Sequence, residues 1–122
     1  VPDVNSEHYQ LLHYDVGEFY KEHTDAIDTQ WHTPGAGRTL TAFLYLNDVA
    51  QGGETAFVDL GLKVRPKQGR LIVWPNVAPG SYRAHPMVRH AALPVIEGVK
   101  YAANKWIHSH DFVTPWTKGI TG

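Results

Sequence analysis

Eleven glycines and eight prolines punctuate this chain of 122 residues, and that punctuation decides what it can fold into. Glycine and proline both interrupt helices, while the runs left between them are short and rich in β-branched and aromatic side chains. Helix signals are poor throughout. The most regular run is residues 38–46, where Thr39, Thr41, Phe43 and Tyr45 fall on one face of an extended chain and Leu40, Ala42, Leu44 and Leu46 on the other. Further strands are expected at residues 9–14, 18–23, 55–60, 62–64, 70–74, 87–92 and 99–110. Turns fall at residues 15–17, 47–53 and 66–69, with loops at 26–37 and 75–86 and a polar tail at 113–122. Pro94 and Gly98 permit a tight turn between the last two strands. The pattern predicts a mainly β protein with few helices, a double-stranded β-helix or jelly roll.

The length suits a single domain over residues 1–122. Eleven basic and twelve acidic residues leave a net charge of −1, which offers nucleic acid or an anionic membrane no electrostatic footing. The absence of cysteine excludes disulfides, zinc–thiolate sites and cysteine nucleophiles. No apolar run approaches the roughly 18 residues of a membrane span, and no signal peptide is visible, so the chain reads as soluble. The start at Val1-Pro2-Asp3 reads as a mature or trimmed chain. Nothing in the sequence points to an oligomeric state.

The chemistry lies in histidines and carboxylates. His23-Thr24-Asp25 puts an imidazole and a carboxylate two residues apart, hence on one face of an extended chain, where they can grip one ion. His13-Tyr14-Asp15 repeats the pattern, so spacing alone does not choose between them. His90 supplies a distant second imidazole, with His85 as its rival, and His108, His110 and Asp111 form a further candidate clip. Two imidazoles and one carboxylate with open positions make the facial triad of non-haem Fe(II) oxygenases. Zinc would favour a tetrahedral set with a single open position. A lysine behind such a triad, as Lys100 could be, would hold the far carboxylate of a diacid co-substrate.

Several spaced motifs in one order carry a resemblance: Tyr14, His23-x-Asp25, Arg38-x-x-Thr41-x-x-x-Tyr45-Leu46-Asn47, Gly52-Gly53-Glu54-Thr55-x-Phe57, Pro66-Lys67-x-Gly69, His90-Ala91-x-x-Pro94-Val95, Gly98-x-Lys100 and Trp106. From about residue 7 to residue 112 the chain resembles the catalytic domain of prolyl 4-hydroxylases, which are 2-oxoglutarate/Fe(II) dioxygenases. The resemblance assigns His23, Asp25 and His90 to the metal, rather than His13 or His85. It places Lys100 on the far carboxylate of 2-oxoglutarate, with Tyr14, Thr55, Tyr45 and Trp106 around the same pocket. It matches Tyr20, Arg38 and His108 to peptide-contacting positions, with residues 26–37 and 75–86 as candidate lids.

The implied activity is hydroxylation of peptidyl proline, with 2-oxoglutarate and O₂ converted to succinate and CO₂ and ascorbate as reductant. The implied partner is a proline-containing peptide or protein. Lysyl, asparaginyl or small-molecule hydroxylation, or a silent jelly-roll binding module, are the alternatives. The family's catalytic domain usually carries further N-terminal helices, so the resemblance implies a fragment or a minimal version. It sets the endoplasmic reticulum lumen as the compartment for a eukaryotic secretory enzyme, and the cytoplasm for a bacterial or viral one.

Overall fold

The computed structural model describes residues 6–25, 37–77 and 85–108, and every regular element among them is a strand. In chain order these are β1 (Gln10–Tyr14), β2 (Tyr20–His23), β3 (Arg38–Tyr45), β4 (Gln51–Gly52), β5 (Thr55–Phe57), β6 (Leu62–Val64), β7 (Leu71–Pro75), β8 (His90–Ala92), β9 (Val95–Glu97) and β10 (Lys100–His108). One antiparallel sheet runs β1-β10-β3-β7, a second β2-β8-β5-β6, and β4 pairs with β9. This is the expected jelly roll. No helix among the described residues is long and apolar enough to cross a membrane.

The long run read as a central strand is β3, flanked on both sides by β10 and β7. Its inward face is the one carrying Thr41, Phe43 and Tyr45, all buried, whereas Leu40, Ala42 and Leu44 are only half-covered. Aromatic bulk accounts for the choice, because each ring removes more apolar area from water than an aliphatic side chain. Phe43 and Tyr45 pack with Phe57, Trp74, Val88 and Ala102 into the core. Phe57 of one sheet meets Trp74 of the other edge-to-face, with ring centroids 5.2 Å apart.

Three local expectations change. The strand expected over residues 55–60 ends at Phe57, where the Leu60 and Gly61 amides donate to the Phe57 and Val58 carbonyls and turn the chain. The strand expected from residue 87 begins at His90. The segment between Pro94 and Gly98 is the additional strand β9, and it pairs with β4 inside the stretch read as a turn. Gly52, at φ +82°, makes this pairing possible: a Cβ there would strike the Pro94 carbonyl oxygen and come within 2.7 Å of the Ile96 nitrogen. Residues 26–36 of the first candidate lid (26–37) and 78–84 of the second (75–86), His110 and Asp111 of the candidate clip with His108, and the tail at 113–122 lie outside the described residues.

Candidate metal centre

β2 and β8 are antiparallel neighbours, and their register sets His23 directly opposite His90. The two rings meet edge-on with centroids 4.3 Å apart. Asp25 follows two residues after His23, 5 % exposed, and its Oδ1 lies 3.4 Å from His23 Nε2 and 3.5 Å from His90 Nε2. One ligand atom from each of the three residues thus falls within 4.8 Å of the others. His13 and Asp15 pair with each other at 3.0 Å on the exposed surface, away from this cluster.

The ring orientation is set by the backbone. His23 Nδ1–H donates to the Lys21 carbonyl at 2.9 Å, and His90 Nδ1–H to the Val88 carbonyl at 2.8 Å. A carbonyl only accepts, so Nδ1 carries the proton in both neutral rings and the Nε2 lone pairs face Asp25. That is the ring state a divalent metal requires. His85 is turned elsewhere: its Nδ1 accepts from the Met87 amide at 3.0 Å.

The electrostatics are polarised toward the carboxylate. Burial pushes the Asp25 pKa up, but the His23 contact, the His90 charge, the Thr41 hydroxyl and the Trp106 indole together bring it below the usual carboxylate value. The indole N–H faces Asp25 without closing a hydrogen bond to it. Burial lowers the His23 pKa, yet Asp25 and the Lys21 carbonyl outweigh it and leave it raised. At His90 burial prevails, and the pKa is lowered.

A cavity of about 300 Å³ opens beside this cluster. His23, Asp25 and His90 lie on its wall, together with Tyr14, Tyr20, Arg38, Thr55 and Trp106. Tyr20 stacks edge-on against His23, with centroids 4.4 Å apart. Arg38 lays its guanidinium 3.8 Å from the centre of the Trp106 ring and donates to both oxygens of Glu7, at 2.8 and 3.3 Å.

Lys100 does not line the cavity itself but stands behind Tyr14 and Phe43, which do. It is fully buried, and its Nζ, 4.8 Å from the Tyr14 ring centre, has no hydrogen-bond partner among the described residues. Burial pushes its pKa down to about 8, against a weaker opposing pull from Glu54. A buried ammonium without a partner is costly and calls for an anion. Gly53, at φ +74°, leaves room for it, because a Cβ there would press on the Lys100 stem at 3.3 Å.

Two expected pocket residues are placed differently. Tyr45 is a core residue behind the wall, its hydroxyl shared with Thr55 at 2.6 Å and donated to the Val64 carbonyl at 3.1 Å. His108, expected to touch substrate, is 3 % exposed and off the cavity; its Nε2–H donates to Glu7 at 2.5 Å. His108 falls on the same face of β10 as Asn104 and Trp106, by the alternation of the strand, but past the cavity, where the ladder to β3 shifts register between Ile107 and His108. Glu7 was not legible as a site residue, since nothing local to it in sequence marks a partner for Arg38 and His108.

Beyond its geometry, the chain matches the 2OG-Fe(II) oxygenase superfamily over residues 9–108. It belongs to that superfamily. Among curated relatives of this oxygenase family, prolyl 4-hydroxylase 5 of Arabidopsis thaliana is 33% identical over 132 residues, covering 92% of this chain and 45% of the relative. Prolyl 4-hydroxylase subunit alpha-1 of Gallus gallus is 36% identical over 126 residues, covering 94% of this chain and 24% of the relative. The chain therefore spans less than half the length of these two relatives. Among solved structures, the viral collagen prolyl hydroxylase of Paramecium bursaria Chlorella virus-1, in its 2-oxoglutarate complex, superposes with a TM-score of 0.77 at 35% identity. That match covers 85% of this chain and 59% of the other. The donor set and the orphaned ammonium fit the family's iron and 2-oxoglutarate.

Proposed function

We propose that this chain carries the catalytic site of a prolyl 4-hydroxylase, which hydroxylates peptidyl proline while 2-oxoglutarate and O₂ become succinate and CO₂. The observation that carries the reading is the meeting of His23, Asp25 and His90 with both Nε2 atoms turned toward one carboxylate oxygen. Relatives and a structural neighbour named for proline hydroxylation support the target.

His23, Asp25 and His90 would hold Fe(II), which supplies oxygen chemistry and open positions for 2-oxoglutarate and O₂. Among the described residues Lys100 is the buried cation available for the distal carboxylate of 2-oxoglutarate, with the Tyr14 and Thr55 hydroxyls on the wall in front of it. Tyr45 supports this end of the pocket indirectly, by fixing the Thr55 hydroxyl. Trp106 walls the metal side and keeps water from Asp25. Tyr20, Arg38 and the Trp106 face offer an aromatic and cationic lining to an extended, proline-rich peptide. His108 contributes through Glu7, which it shares with Arg38. Ascorbate would be the reductant that keeps the site ferrous.

Mass spectrometry of proline-containing peptides incubated with the protein, Fe(II), 2-oxoglutarate and ascorbate tests this. One oxygen atom gained on proline, matched by succinate, is the expected result. Oxygen gained on lysine or asparagine instead would overturn the target, and absence of 2-oxoglutarate turnover in the metal-loaded protein would overturn the enzyme.

A further inference from the structure

Behind the proposed metal centre runs a chain of polar side chains with no exposure to speak of. Thr41 is 0% and Asn76 1% exposed. The Thr41 hydroxyl donates to Asp25 Oδ2 at 2.6 Å, and Asn76 Nδ2 donates to Thr41 Oγ1 at 2.8 Å. We propose that Thr41, oriented by Asn76, is the positioning residue that fixes which oxygen of Asp25 faces the metal. This rests on the metal-centre reading above.

The direction of each bond follows from the donor inventory. An ionised carboxylate only accepts, so the single Thr41 hydroxyl proton points at Oδ2. Thr41 Oγ1 is then left as an acceptor, and Asn76 must present its NH₂ rather than its carbonyl. Asn76 is held to this task by its own backbone. Its N–H donates to the Thr39 carbonyl at 2.8 Å and its C=O accepts from the His85 amide at 3.0 Å. Asn76 Oδ1 is buried with no partner among the described residues. A side chain serving only to pack would gain from an apolar replacement there; what the amide contributes is its nitrogen, aimed at Thr41.

With Oδ2 occupied, Asp25 has one oxygen left for His23 and His90 to face, and that is the Oδ1 they approach at 3.4 and 3.5 Å. A carboxylate free to rotate could bring both oxygens onto the ion and fill a coordination position. Held by Thr41, it would offer an ion one oxygen and leave room for a chelating co-substrate.

The test is anaerobic Co(II) titration of the wild-type protein, Thr41→Val, Thr41→Ser and Asn76→Ala, each checked for folding by circular dichroism. Thr41→Val keeps the side-chain shape and removes the donor. It should weaken Co(II) binding about ten- to hundredfold, as loss of such outer partners does, and change the visible Co(II) absorption bands. Thr41→Ser should restore most of the affinity and the wild-type bands, and Asn76→Ala should shift both in the direction of Thr41→Val. A merely structural threonine would lower the melting temperature and leave the constant and the bands unchanged; that result overturns the proposal. If Thr41→Val does not fold, Asn76→Ala decides in the same way. Infrared spectra of metal-loaded wild-type protein with ¹³C-labelled aspartate should show one-oxygen coordination at Asp25, and a two-oxygen signature overturns the proposal without any variant. If wild-type protein binds no more Co(II) than His90→Ala, the metal centre itself falls and the positioning role falls with it.

Discussion

Lys100 holds its charge where charge is least welcome. A fall in pKa from 10.5 to about 8 corresponds to about 3 kcal/mol favouring the neutral amine in the folded protein. Between those two values the unfolded chain binds more protons than the folded one, so the ligand-free protein gains stability as pH rises through that window. Lys100→Met should therefore raise the thermal midpoint of the ligand-free protein at pH 7 while raising the KM for 2-oxoglutarate at least tenfold; a lower midpoint would show that the ammonium is compensated after all. Because the carboxylate of a bound diacid needs the ammonium form, 2-oxoglutarate affinity should decline above about pH 8, which isothermal titration across pH 7 to 9 would register. At the metal, His90→Ala should abolish turnover and Co(II) binding with the fold retained, since a missing ligand leaves the two remaining donors without facial geometry. Metal affinity should also weaken in mild acid. His23 keeps its proton to a higher pH than a free imidazole, and that proton competes with the ion.

Strands explain why some of this was legible and some was not. His23, Asp25, His90 and Lys100 stand out because the ordered motifs around them carry the resemblance that assigns them, whatever the register. Thr41 enters only as a motif position without a role and Asn76 not at all, since a threonine and an asparagine become a relay only once β3 pairs with β7, Thr41 opposite Trp74. β9 escaped notice because three residues between a proline and a glycine look like part of a turn. Its pairing with β4 turns on Gly52, where Ala would add both a left-handed strain and a backbone clash. Gly52→Ala should cost more than about 1 kcal/mol of stability in urea unfolding; an unchanged midpoint would mean that the β4–β9 pairing is dispensable.

For the molecule as a whole, stability and site are coupled through charge. Burial raises the Glu7 pKa, but His108 and Arg38 outweigh it and hold the carboxyl below its ordinary value of 4.5. The stability it contributes is therefore present above that value and lost as pH falls through the folded pKa. Acid melting curves of wild type and Glu7→Gln should separate at pH 7 and draw together as pH falls below 4.5; parallel curves would exclude this contribution. Metal should act in the same sense. A divalent ion at one hundred times its Kd would add about 2.7 kcal/mol, readable as a higher melting temperature that a chelator reverses.

The inward row of β3 places the anchor of the proposed ligand Asp25 and two of the largest core side chains on one side of one strand: Thr41, Phe43, Tyr45. Slipping that strand by a single position would swing all three outward together and bring Leu40, Ala42 and Leu44 in their place. A misaligned molecule thus loses its interior and its grip on the ion in one event. Ion uptake would serve as a read-out of correct strand alignment in refolding, with no misassembled species counted as sound.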